Sequence, residues 1–159
     1  MSDQKHLEAT LQRDTDEIRS KVQHMAGLAE SALNDSLKAL LEKNGQLAYS
    51  VILRDQKIDE CEKEIDRLCL EFLVRQQPAA GPLRFVYATI KINLELERIG
   101  DYAESIARRG LVVNSLNLNL NYSDFEAIGK TSISMLKSSI QAFLNQDADL
   151  AKSTMLAQR

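Results

Sequence analysis

Gln76-Gln77-Pro78-Ala79-Ala80-Gly81-Pro82 is the break that decides how this chain folds. Proline restricts the residue before it and cannot continue a helix, so no helix passes through Pro78. Pro82 suits the first position of a new one. Upstream, from about Gln46 to Gln76, Val51, Ile58, Cys61, Ile65, Leu68, Cys69 and Phe72 recur at helical spacing on one side. Downstream, Phe85, Ile92, Leu96, Ile99, Ala103 and Ile106 do the same as far as Arg109, where Gly110 is expected to end the helix. Two long amphipathic helices joined by a tight turn must run back along each other.

Working outward, a single stripe from Leu11 through Ile18, Val22, Met25, Ala29, Ala32, Leu33 and Ser36 to Leu40 predicts a first helix over Asp3–Lys43. Asn44-Gly45 is expected to supply its left-handed cap. The fold class is therefore all-α, an antiparallel three-helix bundle over residues 1–112. Residues 113–123 read as a linker, in which Leu116, Leu118 and Leu120 alternate with Asn117, Asn119 and Asn121. Alternation is a strand signal, but one strand has nothing to pair with, so the segment is expected to be a loop. Ser123-x-x-Glu126 has the pattern of a capping box and places a fourth helix over Asp124–Asn145. Asp147 then caps a fifth element. Leu150-Ala151-Lys152-Ser153-Thr154-Met155-Leu156 faintly repeats Leu47-Ala48-Tyr49-Ser50-Val51-Ile52-Leu53, so residues 124–159 read as the start of a second bundle.

Composition narrows the function classes. Of 159 residues, 44% are hydrophobic and 27% charged, ordinary for a soluble globular chain, and six Gly and two Pro leave room for long helices. A net charge of −3 without a Lys/Arg cluster argues against nucleic acid as the main partner. No apolar run is long enough to insert in a membrane. Cys61 and Cys69 lie about 12 Å apart along one helix, too far to bridge, and are expected to be buried, reduced thiols of a cytoplasmic protein.

The chemistry-bearing residues are acidic. Asp55, Asp59, Glu62 and Asp66 fall within roughly 60° of one another around the second helix. Asn93, Glu97, Asp101 and Glu104 form a matching stripe on the third. Like charges stacked four residues apart are mildly destabilising unless something neutralises them. Two oxygen-rich stripes suit a hard cation, Mg²⁺, Ca²⁺, Mn²⁺ or oxidised iron, whereas zinc would recruit His or Cys. They also suit a solvated face balanced by Arg54, Lys57, Arg98 and Arg108. His6 and His24 are scattered; no E-x-x-H pair, Gly-rich phosphate loop or nucleophile–base set occurs. Met135, Met155, Tyr87 and Tyr102 fit core or groove positions. The residues point away from an enzyme.

The run Lys91-Ile92-Asn93-Leu94-Glu95-Leu96-Glu97-Arg98-Ile99-Gly100-Asp101-Tyr102-Ala103-Glu104-Ser105-Ile106-Ala107 closely resembles the PhoU family of phosphate-uptake regulators. Asp55-Gln56-Lys57-Ile58-Asp59 with Glu62 resembles the motif on that family's second helix, and Gln76-Gln77-Pro78 its turn before the third. The resemblance implies two tandem three-helix bundles, here cut short in the second repeat. It departs at Gly81-Pro82-Leu83-Arg84, where the family usually has Asp before Leu-Arg. It implies metal at Asp55, Asp59, Glu97 and Asp101, with Glu62, Asp66 and Glu104 as further candidates. It also implies a non-enzymatic role as a cytoplasmic regulator that dampens the phosphate-starvation response. The expected partners are a phosphate ABC transporter ATPase and a sensor histidine kinase. The alternative is a metal-free helical adaptor. The apolar side of the fourth helix, with Phe125, Ile128, Met135, Leu136 and Phe143, is expected to pair between chains in a homodimer, in preference to folding back on the first bundle.

Overall fold

Residues 2–116 and 121–156 are described in a computed structural model, with the side chains of residues 2–4 and 123 left aside. They form α1 (Ser2–Leu41), α2 (Gly45–Gln76), α3 (Ala80–Ser115), α4 (Ser123–Asn145) and α5 (Ala148–Leu156). α1, α2 and α3 pack on one another, α4 packs on α1, and α5 packs on α4. Within the alternating Leu/Asn stretch, residues 117–120 lie outside the described residues, and Leu116 forms the C-cap of α3.

A seven-residue period runs through the core. Ile18, Met25, Ala32 and Ala39 recur on α1, Val51, Ile58, Ile65 and Phe72 on α2, and Thr89, Leu96, Ala103 and Gly110 on α3, all buried. That period keeps one seam of a helix facing its neighbours over many turns. Alanines on α1 at 26, 29, 32 and 39 let the larger α2 and α3 side chains come close. Two buried core hydroxyls are satisfied within their own helices, Thr89 Oγ1 donating to the Phe85 carbonyl and Ser36 Oγ to that of Leu33. Asp14, 4% exposed, ties the far end of α2 to α1. Burial alone would raise its pKa, but hydrogen bonds from Gln76 and Arg13 and the nearby Arg75 charge hold it below the usual carboxylate value.

Several local expectations need correcting. The left-handed residue closing α1 is Lys43 (φ 53°), while Asn44 is extended and its side chain accepts from the Leu47 amide at 3.0 Å, capping α2. α3 starts at Ala80, so Pro82 is its third residue, still in the first turn where amides lack helical acceptors. Gly110 does not end α3. The helix continues to Ser115 because Leu111 packs against the core and Gly110 itself is buried against Leu40, which outweighs glycine's poor propensity. α4 begins at Ser123, one residue earlier than expected, and the Glu126 carboxylate pairs with Lys130 at 2.6 Å. Cys69 is buried, its thiol pushed up to about 12 by burial, but Cys61 is only half-buried. Tyr87 and Tyr102 are exposed, Tyr102 lining a groove between α3 and α4.

The faint repeat has a structural counterpart. Asp147 Oδ1 accepts from the Leu150 amide at 2.9 Å, as Asn44 Oδ1 does from Leu47, so both copies open a helix with the same cap.

α4 takes the fold-back arrangement. Leu136 and Ala142 are buried, and the Phe143 ring stacks on Phe85 with centroids 5.6 Å apart. A side chain at Gly129 would collide with Leu37 of α1, so glycine permits this approach. Phe125 and Ile128 stay exposed. Phe143→Ala should cost about 2 kcal/mol, below the range for a fully buried Phe because this ring is half-buried. Amide exchange should then speed up across α4 while α2 and α3 keep their protection; equal acceleration everywhere would contradict the arrangement.

Candidate metal centre

The acidic stripes of α2 and α3 meet along the outer groove between these helices. Gly100 sits at the contact: a Cβ there would come within 3.1 Å of Asp55 Oδ1 and 2.9 Å of Ile58 Cδ1. Its lack of a side chain brings α3 close beneath the α2 carboxylates. Asp55, Asp101 and Glu104 each direct an oxygen to one place, with the three atoms all within 4.8 Å of one another.

Crowded carboxylates resist ionisation, and Asp55 registers this. Burial, then the charges of Asp59, Glu104, Asp101 and Glu97, push it up to about 6 from an ordinary 3.8. Glu97 is also raised, first by burial and then by Asp101, Asp59 and Glu62. Asp59 and Glu97 thus border the three-residue group without converging into it, and Glu62 neighbours Glu97. Glu104, a secondary candidate from spacing, is central to it.

Asp66 is engaged differently. The Asn93 amide, 1% exposed, donates to Asp66 Oδ1 at 3.0 Å and to the Glu62 carbonyl at 2.9 Å, tying α3 to α2. Asn93 Oδ1 is buried without a hydrogen-bond partner. Of the four cations expected to balance the face, Arg108 pairs with Glu104, Arg98 pairs with Glu95 and Arg54 with Asp35 of α1. Lys57 forms no ion pair among the described residues. Asp55, Asp59, Glu62, Glu97 and Asp101 likewise form no ion pair there. An all-oxygen set of this kind, in which only Glu104 has a cationic partner, fits a hard cation by its donor chemistry. Sequence reasoning missed Gly100 as the residue that makes the approach, although a glycine inside a long helix beside an acidic pair is a readable signal.

A pH dependence follows. Asp55 holds its proton more tightly folded than unfolded. Its contribution to stability is therefore fully present below the unfolded value near 3.8 and is lost as pH rises through about 6. The raised Glu97 acts in the same direction. The lowered Asp14 acts the other way, its contribution being lost only as pH falls below the ordinary carboxylate range. Metal-free protein should melt higher at about pH 5 than at about pH 7.5, and Asp55→Asn should flatten that difference. A wild-type curve already flat over this range would contradict the crowding of Asp55.

No helix among the described residues is long and apolar enough to cross a membrane. The family model described as "PhoU domain" matches residues 22–110. Over 149 residues the chain is 36% identical to a Pseudomonas putida protein named "Phosphate-specific transport system accessory protein PhoU homolog", covering 93% of this chain and 58% of that one. Over 147 residues it is 33% identical to the Escherichia coli K12 "Phosphate-specific transport system accessory protein PhoU", covering 92% and 61% respectively. It thus spans about three-fifths of the length of these curated relatives. The crystal structure of PhoU from Pseudomonas aeruginosa superposes with a TM-score of 0.86 at 35% identity, over 89% of this chain and 68% of that one. With the match spanning more than half of its length and taking in the α2–α3 groove, the chain belongs to the PhoU domain family.

Proposed function

We propose that this chain is a non-enzymatic, cytoplasmic regulator of phosphate uptake and of the phosphate-starvation response. It works by docking on a phosphate ABC transporter ATPase and on a sensor histidine kinase. The observation that carries this reading is the match, over nine-tenths of the chain, to relatives named as accessory proteins of phosphate-specific transport. A rigid helical bundle with an acidic groove is suited to docking. Tagged protein should retain the transporter ATPase and the kinase from cells grown in ample phosphate. Intact, folded protein that retains neither would overturn the reading.

Asp55, Asp101 and Glu104 would hold a hard cation, with Asp59 and Glu97 beside them and Glu62 and Asp66 farther along the groove. Bound there, iron, Mn²⁺, Mg²⁺ or Ca²⁺ would neutralise the crowded charges and clamp α2 to α3. The adaptor reading, with a bare acidic face, draws on one observation, the use of Glu104 by Arg108. Exposed Phe125 and Ile128 leave part of α4 for a second copy, as a homodimer requires.

A further inference from the structure

A cleft of about 1000 Å³ opens between the N-terminal halves of α1 and α3 and the α4–α5 turn, away from the acidic groove. Its floor is aromatic: Phe85 and Phe143 stack at 5.6 Å with their planes 7° apart. The Arg19 guanidinium lies over Phe85, 5.1 Å from the ring centroid. Its Nε is buried without a hydrogen-bond partner. Arg84 lines the same cleft from the start of α3.

Charge use sets these two residues apart. Among the described arginines only Arg19, Arg84 and Arg109 form no ion pair, and two of the three face this cleft. Glu8 and Asp147 also line it. However, Asp147 is committed to capping α5 through the Asp149 and Leu150 amides, and Glu8 has a partner of its own. A buried guanidinium N–H lacking an acceptor is costly, and a charged acceptor is its best remedy. The stacked rings, with Leu11 and Met155, offer the apolar surface that ligand pockets commonly use.

We propose that this cleft binds a small organic anion: a flat apolar body carrying an oxyanion head. The head pairs with the Arg19 guanidinium and lies within the field of Arg84, and the body rests against the apolar wall that Leu11, Phe143 and Met155 provide. Any ligand of this class gains from both features at once, whereas inorganic phosphate uses only the first and a neutral arene only the second.

The test is calorimetric titration of the full chain with 1-naphthyl phosphate, 1-naphthoate, 1-naphthol and inorganic phosphate. Both naphthyl anions should bind, and naphthol and inorganic phosphate should each bind at least about tenfold more weakly, the scale of one charged hydrogen bond. Relative binding of the phosphate and carboxylate forms identifies the preferred head. Arg19→Gln should weaken the anions by about tenfold or more and leave naphthol unchanged. Arg84→Gln, at an exposed position where folding is not at stake, should weaken them more modestly. Equal binding of naphthol and naphthyl phosphate would overturn the proposal. So would inorganic phosphate matching the naphthyl phosphate, or anion binding untouched by both arginine variants.

Discussion

Gly100→Val should destabilise the protein by about 3 kcal/mol, the upper end of the usual overpacking cost. The added Cβ alone meets Ile58 Cδ1 at 2.9 Å, Ile58 Cγ2 at 3.2 Å and Asp55 Oδ1 at 3.1 Å. Ile58 is 2% exposed and enclosed by the core, so it has nowhere to swing. α3 must move off α2, and the three converging carboxylates separate with it. Gly100→Ala makes the same first contact but recovers about 1 kcal/mol of helix propensity, so its loss should be near 1 kcal/mol. Urea denaturation of the metal-free variants measures both. A valine variant as stable as the parent would mean that the α2–α3 approach is looser than this contact implies.

Replacing Asp55 and Asp101 together with Asn separates charge from shape. Metal-free protein should become more stable, by a few tenths of a kcal/mol for each relieved like-charge pair. Any stabilisation by Mn²⁺, Mg²⁺, Ca²⁺ or Fe³⁺ should disappear. For the parent that stabilisation should reach about 2.7 kcal/mol at a hundredfold excess over Kd, since a ligand held only by the folded state raises its stability by mass action. Metal-induced stabilisation persisting in the double variant would place the cation elsewhere. A parent whose melting point ignores all four ions would leave the acidic-face adaptor standing. A metal-free double variant that loses more than about 1 kcal/mol would instead show that the carboxylates have structural partners.

The long helices were legible because their apolar residues keep strict register over many turns, as Val51, Ile58, Ile65 and Phe72 do. Pro78 fixed the α2–α3 turn for the same plain reason. The helix ends were less readable, since caps and tertiary contacts decide them. Gly110 looked like a stop until Leu40 and the packing of Leu111 were seen beside it. Both acidic stripes could be read from spacing, and the family resemblance chose Asp55, Asp59, Glu97 and Asp101 among them. Neither could rank Glu104 above Asp59, because convergence across two helices depends on their offset along the groove. Asn93 reads as a polar stripe member, yet it is a buried strut between α2 and α3. Arg19 and Arg84 carry no sequence signal, since what distinguishes them is the lack of an acidic partner in space.

The attachment of α4 mainly to α1, with the Phe143 ring on Phe85 of α3, gives the molecule two strengths rather than one. α1, α2 and α3 share a continuous seam, whereas α4 and α5 are held by one helix-to-helix face and the Phe143 stack. A partial opening that frees α4 and α5 together leaves that seam intact, so it requires less work than global unfolding. Heating should then reveal a shoulder before the main transition, and a single two-state fit would misstate both free energies. Nicking within residues 116–122 would uncouple the two layers without cutting the seam, leaving α1–α3 as the surviving core.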